Sequence, residues 1–126
     1  MDIKNTFKKL ILLNIGLLLL VFTLVFFESD EVIRFNESLD AIPTSLIIIS
    51  LIWIISYFVS FYFLYTFKKN GKKLFSILFV LGVVLNLPLG PSAVDSLMYT
   101  LDALSWCSQS AILVFLYFTP IKKFFN

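Results

Sequence analysis

The stretch LILLNIGLLLLVFTLVFF, Leu10 to Phe27, runs for 18 residues without a charged side chain, and Asn14 is its most polar member. A helix rises about 1.5 Å per residue, so a run of this length nearly matches the roughly 30 Å hydrocarbon core of a bilayer. It is entered from MDIKNTFKK and left through ESDEV. A positive start before an apolar run also describes a signal peptide, but this run is long for one and no small-x-small cleavage site follows it. The stretch reads as an uncleaved membrane span.

Three further apolar runs repeat the pattern. The second, residues 45–67, stops at KKNGKK, and the third, residues 74–89, ends in NLPLGP. Pro88, Gly90 and Pro91 oppose helix continuation through a missing donor, excess backbone freedom and a fixed φ. The fourth occupies residues 98–118, with Pro120 just past its end. Ser92 followed by Asp95 fits a short-armed capping box, which would start this helix early and give it about 40 Å of length. The surplus, SAVDSLMYT, is then expected to stand outside the membrane or lie along its surface. Of the 126 residues 60% are hydrophobic and 14% charged, against about 25% charged in soluble domains, and a small globule has no interior for four such runs. The expected fold is an all-α integral membrane protein, a single domain over residues 1–126 forming a four-transmembrane-helix bundle. Residues 28–44 form its external loop, 68–73 a cytoplasmic turn and 90–97 an external segment.

Charge placement gives the orientation. Lys4, Lys8 and Lys9 precede the first span; Lys68, Lys69, Lys72 and Lys73 fill the turn; Lys122 and Lys123 follow the last. With four spans all nine lysines fall on one side and the single Arg34 on the other, with seven of the eight acids. The positive-inside rule puts the lysine side, and both termini, in the cytoplasm. Lys8, Lys9, Lys68, Lys69, Lys72, Lys73, Lys122 and Lys123 are expected to anchor the chain in lipid headgroups. Lysine preference and short loops suggest a bacterial inner-membrane protein. In the external loop Val32, Phe35 and Leu39 recur at i, i+3 and i+7, so the loop is either a short amphipathic helix on the membrane surface or an irregular acidic segment. Asn36-Glu37-Ser38 matches a glycosylation sequon, which a bacterial chain would not use. The endings FLYTFKK and FLYFTPIKK echo each other, each after an upstream tryptophan (Trp53, Trp106); duplicated hairpins would produce this, but interfacial tyrosines and flanking lysines make unrelated spans converge on it, which is the favoured account.

Polar residues inside spans are costly without partners and mark where to look for function. Counting depth from the lysine end of each apolar run puts Asn14 about 6 Å in, while Ser60, Ser56, Gly82, Asn86, Gln109 and Ser105 fall about 10–20 Å in and Asp102 about 24 Å. Ser56 and Ser60, and likewise Gly82 and Asn86, stand four apart on one helix face, and Asp95, Asp102 and Gln109 form a stripe on the last span. Ser56, Ser60, Gly82, Asn86, Asp102, Ser105 and Gln109 are the candidate residues for interhelical contact or for a pathway. A pairing of Asp102 with Arg34 would pin the outer loop over the bundle.

Several chemistries have no residues to carry them. The chain has no histidine and one cysteine, Cys107, read as a small buried residue. An internal disulfide, a CxxC redox pair and a histidine-ligated haem are therefore excluded for the chain alone. No phosphate loop or activated nucleophile occurs, and Asp95 and Asp102 lie about 10 Å apart along a helix, too far to share a proton. No cofactor, catalysis or nucleic-acid binding is expected. The size and four spans are similar to small multidrug resistance transporters; that resemblance implies a membrane-embedded glutamate in the first span, where this chain has only Asn14. The short-looped plan is also similar to that of immunity proteins against pore-forming bacteriocins, which implies recognition through helix contacts rather than chemistry. The expected function is non-enzymatic, through lateral contact with another membrane protein or a second copy of the chain. The alternative is a small channel or transporter subunit with Asp102 and Gln109 on the path.

Overall fold

The computed structural model describes residues 2–125, and all of its regular structure is helical. Helix α1 (Ile3–Leu24) runs on into a 3-10 turn (Val25–Phe27); α2 (Asp30–Glu37) follows, then α3 (Thr44–Tyr65), α4 (Gly71–Asn86), α5 (Ser96–Phe118) and a closing 3-10 segment (Pro120–Phe125). Three helices, Ile3–Phe27, Thr44–Tyr65 and Ser96–Phe118, are long and apolar enough to cross a membrane. The other long helix, α4, has 16 residues, about 24 Å against a hydrocarbon core of about 30 Å. It begins earlier than its apolar run, inside the lysine turn, and stops at Asn86. There the Leu87 N–H bonds back to the Val84 carbonyl at 3.2 Å, and Pro88 has no N–H with which to continue.

The helix ends show which local signals operate. Asp2 caps α1, its carboxylate accepting from the Lys4 N–H at 3.0 Å, and the Ser29 hydroxyl caps α2 through the Val32 N–H at 3.4 Å. The segment around Val32, Phe35 and Leu39 is helical as far as Glu37, with Val32 buried. The capping box expected at Ser92 does not form. Helix α5 starts at Ser96, and the Asp95 side chain, at the N-cap position, makes no bond to its own helix. It accepts instead from the Ser29 N–H at 2.9 Å and the Ser29 hydroxyl at 2.8 Å. A charge-assisted partner across the chain thus takes the oxygens that a helix N-terminus would have used.

Helix α1 lies along α5 and α3 along α4, and α1–α3 and α4–α5 contacts close the ring. The order around the bundle is α1, α3, α4, α5, each antiparallel to its neighbours. The buried side chains concentrate at the lysine end: Phe7 and Ile11 of α1, Phe61 and Leu64 of α3, Phe75 of α4, Ile112 and Leu116 of α5, with Ile121 and Phe125 folded beneath. In α3 every buried residue lies between Tyr57 and Leu64, and Ile47, Ile48, Ile49, Leu51, Ile52 and Ile55 are all exposed. The bundle is packed solid at one end and loosened at the other.

The turn between α3 and α4 has an unusual closure. The Lys68 N–H reaches the Phe63 carbonyl at 2.9 Å and the Phe67 N–H the Leu64 carbonyl at 3.1 Å, the paired bonds of a Schellman motif. The left-handed position of that motif is usually glycine; here it is Phe67, at φ 54°. Its ring lies 6.0 Å from Phe7, 5.9 Å from Phe124 and 5.3 Å from Phe125, so the strained backbone holds the centre of an aromatic cluster. At Gly71, one turn on, the fit is tight, since a Cβ there would stand 3.0 Å from the Phe63 backbone. Left-handed strain at a non-glycine residue costs about 1–3 kcal/mol and removing a fully buried phenylalanine about 3–5 kcal/mol; Phe67 is partly buried, but its ring meets three others. Packing outweighs strain, so Phe67→Gly should destabilise the protein by about 1–3 kcal/mol, read as a lower thermal midpoint in detergent; an unchanged or higher midpoint would refute this balance.

Candidate functional site

Halfway along the bundle a chain of buried polar groups links three helices. The Asn14 amide of α1 donates to the Ser105 carbonyl of α5 at 3.1 Å and to the Ser108 hydroxyl, which donates to the Ser105 carbonyl at 2.9 Å. One turn along α5, the Gln109 amide donates to the Ser105 hydroxyl at 3.1 Å, and its carbonyl accepts from the Tyr57 hydroxyl of α3. Asn14 and Ser105 are fully buried and Gln109 nearly so. In an apolar interior each polar group needs a protein partner, because a lost bond leaves the full desolvation cost behind. Helix α4 joins through a different bond: the Trp53 indole N–H of α3 donates to the Leu78 carbonyl at 2.7 Å. That indole stacks on Tyr57 at 4.8 Å, and Tyr57 stacks on Phe75 of α4 at 5.4 Å.

Directly above this polar layer, toward the acidic end, the four long helices part around a cavity of about 250 Å³. Gln109 forms part of its floor, Trp53, Trp106 and Phe22 supply aromatic wall, and Ser50, Asn86 and Asp102 are its other polar groups. Among the described residues Asp102 is the only ionisable one in its lining. Gly82 makes the wall possible, since a Cβ at that position would lie 2.5 Å from the Trp53 ring.

The structure divides the sequence candidates into two groups. Gly82, Asn86, Asp102 and Gln109 meet around the cavity, with Ser105 immediately beneath Gln109. Ser56 and Ser60 do not join them: the Ser56 hydroxyl donates to the Ile52 carbonyl at 2.8 Å and the Ser60 hydroxyl to the Tyr57 carbonyl at 2.6 Å, both within α3. Asp102 does not pair with Arg34. The acidic-end segments are joined by Asp95 with Ser29, and by Asn36, whose amide donates to the Ala93 carbonyl at 3.1 Å and accepts from the Ala93 N–H at 2.8 Å. Those two bonds also occupy the side chain of the sequon asparagine. Cys107 is exposed rather than buried, because two residues past Ser105 a helix has turned about 200° away from the inward face.

Asn14, Tyr57 and Ser108 belong to the site although the pattern of apolar runs does not single them out. Asn14 looks shallow when depth is counted from Leu10, but α1 starts at Ile3 and carries Lys8 and Lys9 within it. From that start Asn14 is about 17 Å along, near mid-height. Tyr57 reads as one more aromatic in an aromatic helix. At the lysine end Lys8 lies over the Tyr65 ring at 4.7 Å, Lys68 over Phe63 at 4.9 Å and Lys72 over Tyr117 at 4.0 Å, where cation–π attraction fixes them to the bundle. Lys9, Lys69, Lys73, Lys122 and Lys123 are exposed.

Two substitutions test the site. A double-mutant cycle on Tyr57→Phe and Gln109→Leu should give a coupling of about 0.5–2 kcal/mol in detergent unfolding, and additive effects would dismiss the bond. Gly82→Ala should displace Trp53 from its bond to Leu78, shifting tryptophan emission and lowering the thermal midpoint; an unaltered spectrum would show that the wall gives way freely.

Compared with protein-family models, curated proteins and solved structures, the chain matches none.

Proposed function

We propose that this chain is a four-span integral protein of a bacterial inner membrane, with its lysine end in the cytoplasm, acting without catalysis as a small transporter or channel subunit. Asp102 and Gln109 lie on its path. The observation that carries the reading is the cavity: Asp102, Asn86 and Gln109 converge on a space bounded by all four long helices, where an intramembrane carboxylate marks a pathway more often than a packing contact. Ser60, Gly82, Ser105 and Gln109 are buried within the bundle, while Ser56 is part-exposed and Asn86 and Asp102 are exposed, so most of the polar surface that would have served a lateral partner is already occupied. This favours a path through the chain over a contact at its side.

In this reading α4 is the fourth span. Its shortness supports a vestibule, because a helix of about 24 Å that starts among the lysines leaves the opposite third of the bilayer to the loop beyond Asn86. The pathway is open to the periplasmic side as far as Gln109. Below it, the Tyr57–Gln109 bond and the packed rings of Phe7, Phe61 and Phe75 close the way to the cytoplasm.

Cysteine accessibility tests both orientation and vestibule. In a Cys107→Ser background, a membrane-impermeant thiosulfonate cation added to intact cells should modify Asn86→Cys within minutes and spare Lys69→Cys until the membrane is broken. Labelling of Lys69→Cys from outside would reverse the orientation. Protection of Asn86→Cys on both sides would remove the vestibule.

A further inference from the structure

The cavity has a chemistry of its own, and we infer that it binds small organic monocations, an ammonium centre carrying an apolar or aromatic body. The inference rests on the vestibule proposed above and names what the vestibule accepts.

Three features of the lining point the same way. Asp102 is the only ionisable side chain on the wall among the described residues. Lys4, Lys8 and Lys9 lie in the first half of α1, Lys68 and Lys69 in the α3–α4 turn, Lys72 and Lys73 at the start of α4, and Lys122 and Lys123 in the closing 3-10 segment; neither they nor Arg34 of α2 are among the lining residues, so the carboxylate meets no cation of the chain there. Around it stand the rings of Trp53, Trp106 and Phe22. Indole is the aromatic face that attracts a cation most strongly, and the attraction grows where water is excluded. The remaining wall is mostly aliphatic, with Ser50, Asn86 and the Gln109 amide as neutral polar groups. A bare metal ion would need several oxygens at close range, and no group of three acidic, cysteine or histidine side chains lies together among the described residues. An anion would face the carboxylate, and a neutral hydrocarbon would leave its charge with no compensation beyond the neighbouring Trp106 side chain. An organic cation satisfies the charge and fills the apolar remainder. The volume of about 250 Å³ lies just below the usual range of drug-sized pockets, which limits the ligand to one small ring or a few short alkyl arms.

The molecule carries its own reporter, since both of its tryptophans, Trp53 and Trp106, line the cavity. The experiment is a fluorescence titration of the full chain in lipid nanodiscs with benzyltrimethylammonium. The expected result is a saturable change in tryptophan emission, weakened about tenfold or more in Asp102→Asn and retained in Asp102→Glu, with no response to benzenesulfonate. Circular dichroism and thermal midpoint establish that each variant is folded. No saturable change with the cation overturns the inference. Equal affinity in Asp102→Asn also overturns it, showing an apolar pocket indifferent to charge. If Asn86→Cys is labelled from outside and the titration is flat, the vestibule stands and only its ligand class is wrong. If Asn86→Cys is protected on both sides, the vestibule itself is absent.

Discussion

The Tyr57 hydroxyl and the Gln109 carbonyl meet in the middle of an apolar bundle, where both side chains are buried. On that bond the rest of the arrangement depends. It ties α3 to α5 and turns the Gln109 amide toward Ser105, which with Ser108 holds Asn14 and so brings in α1. Individually such bonds contribute about 0.6 kcal/mol on average and at most about 1.7 kcal/mol within a bilayer, because an unfolded span also finds partners. Their collective value is geometric. A helix face of leucine and phenylalanine can slide or rotate against another at small cost, while a face carrying one amide has a single register that satisfies it. The Asn14 carbonyl oxygen remains buried without a partner, so the layer is not fully satisfied even here.

This polar layer separates two kinds of packing. On the lysine side aromatic and branched side chains interlock, with Phe7 touching rings of α5, the α3 terminus and the C-terminal segment. On the other side Trp53 leans into the place that Gly82 leaves open, and the helices part around it. Small residues normally bring helix backbones together. In this chain the glycine admits an indole instead, and the wall of the cavity is the result. A solid half fixes the positions of the helices, and the open half can carry a site without losing the fold.

The ends of the molecule follow from the same economy of polar groups. At the acidic end two side chains, Asp95 and Asn36, hold the short helix α2 and the α4–α5 connection together through four hydrogen bonds. At the lysine end several ammonium groups lie on aromatic rings, an arrangement suited to the boundary between apolar and wet surroundings.

Helical class was legible in the sequence because it follows from the length of uncharged runs and from what stops them, and three of the four expected spans are helices long and apolar enough to cross a membrane. The inward face of α5 was legible too: Ser105 and Gln109 stand at helical spacing, and both are buried. Depth was not, because α1 begins before its apolar run and carries its lysines on helical turns, which moved Asn14 from the edge to the centre. Helix order, the role of Tyr57 and the parting of the helices also had to come from the tertiary structure. A hydroxyl or a ring has the same local preference whether it meets lipid, a neighbour or a cavity, and only the packing of distant segments selects among these. What the sequence determined by itself was which stretches are helical and which residues are too polar for lipid. Which of those residues satisfy one another, and which are left lining a space, was decided by the order in which four helices close into a ring.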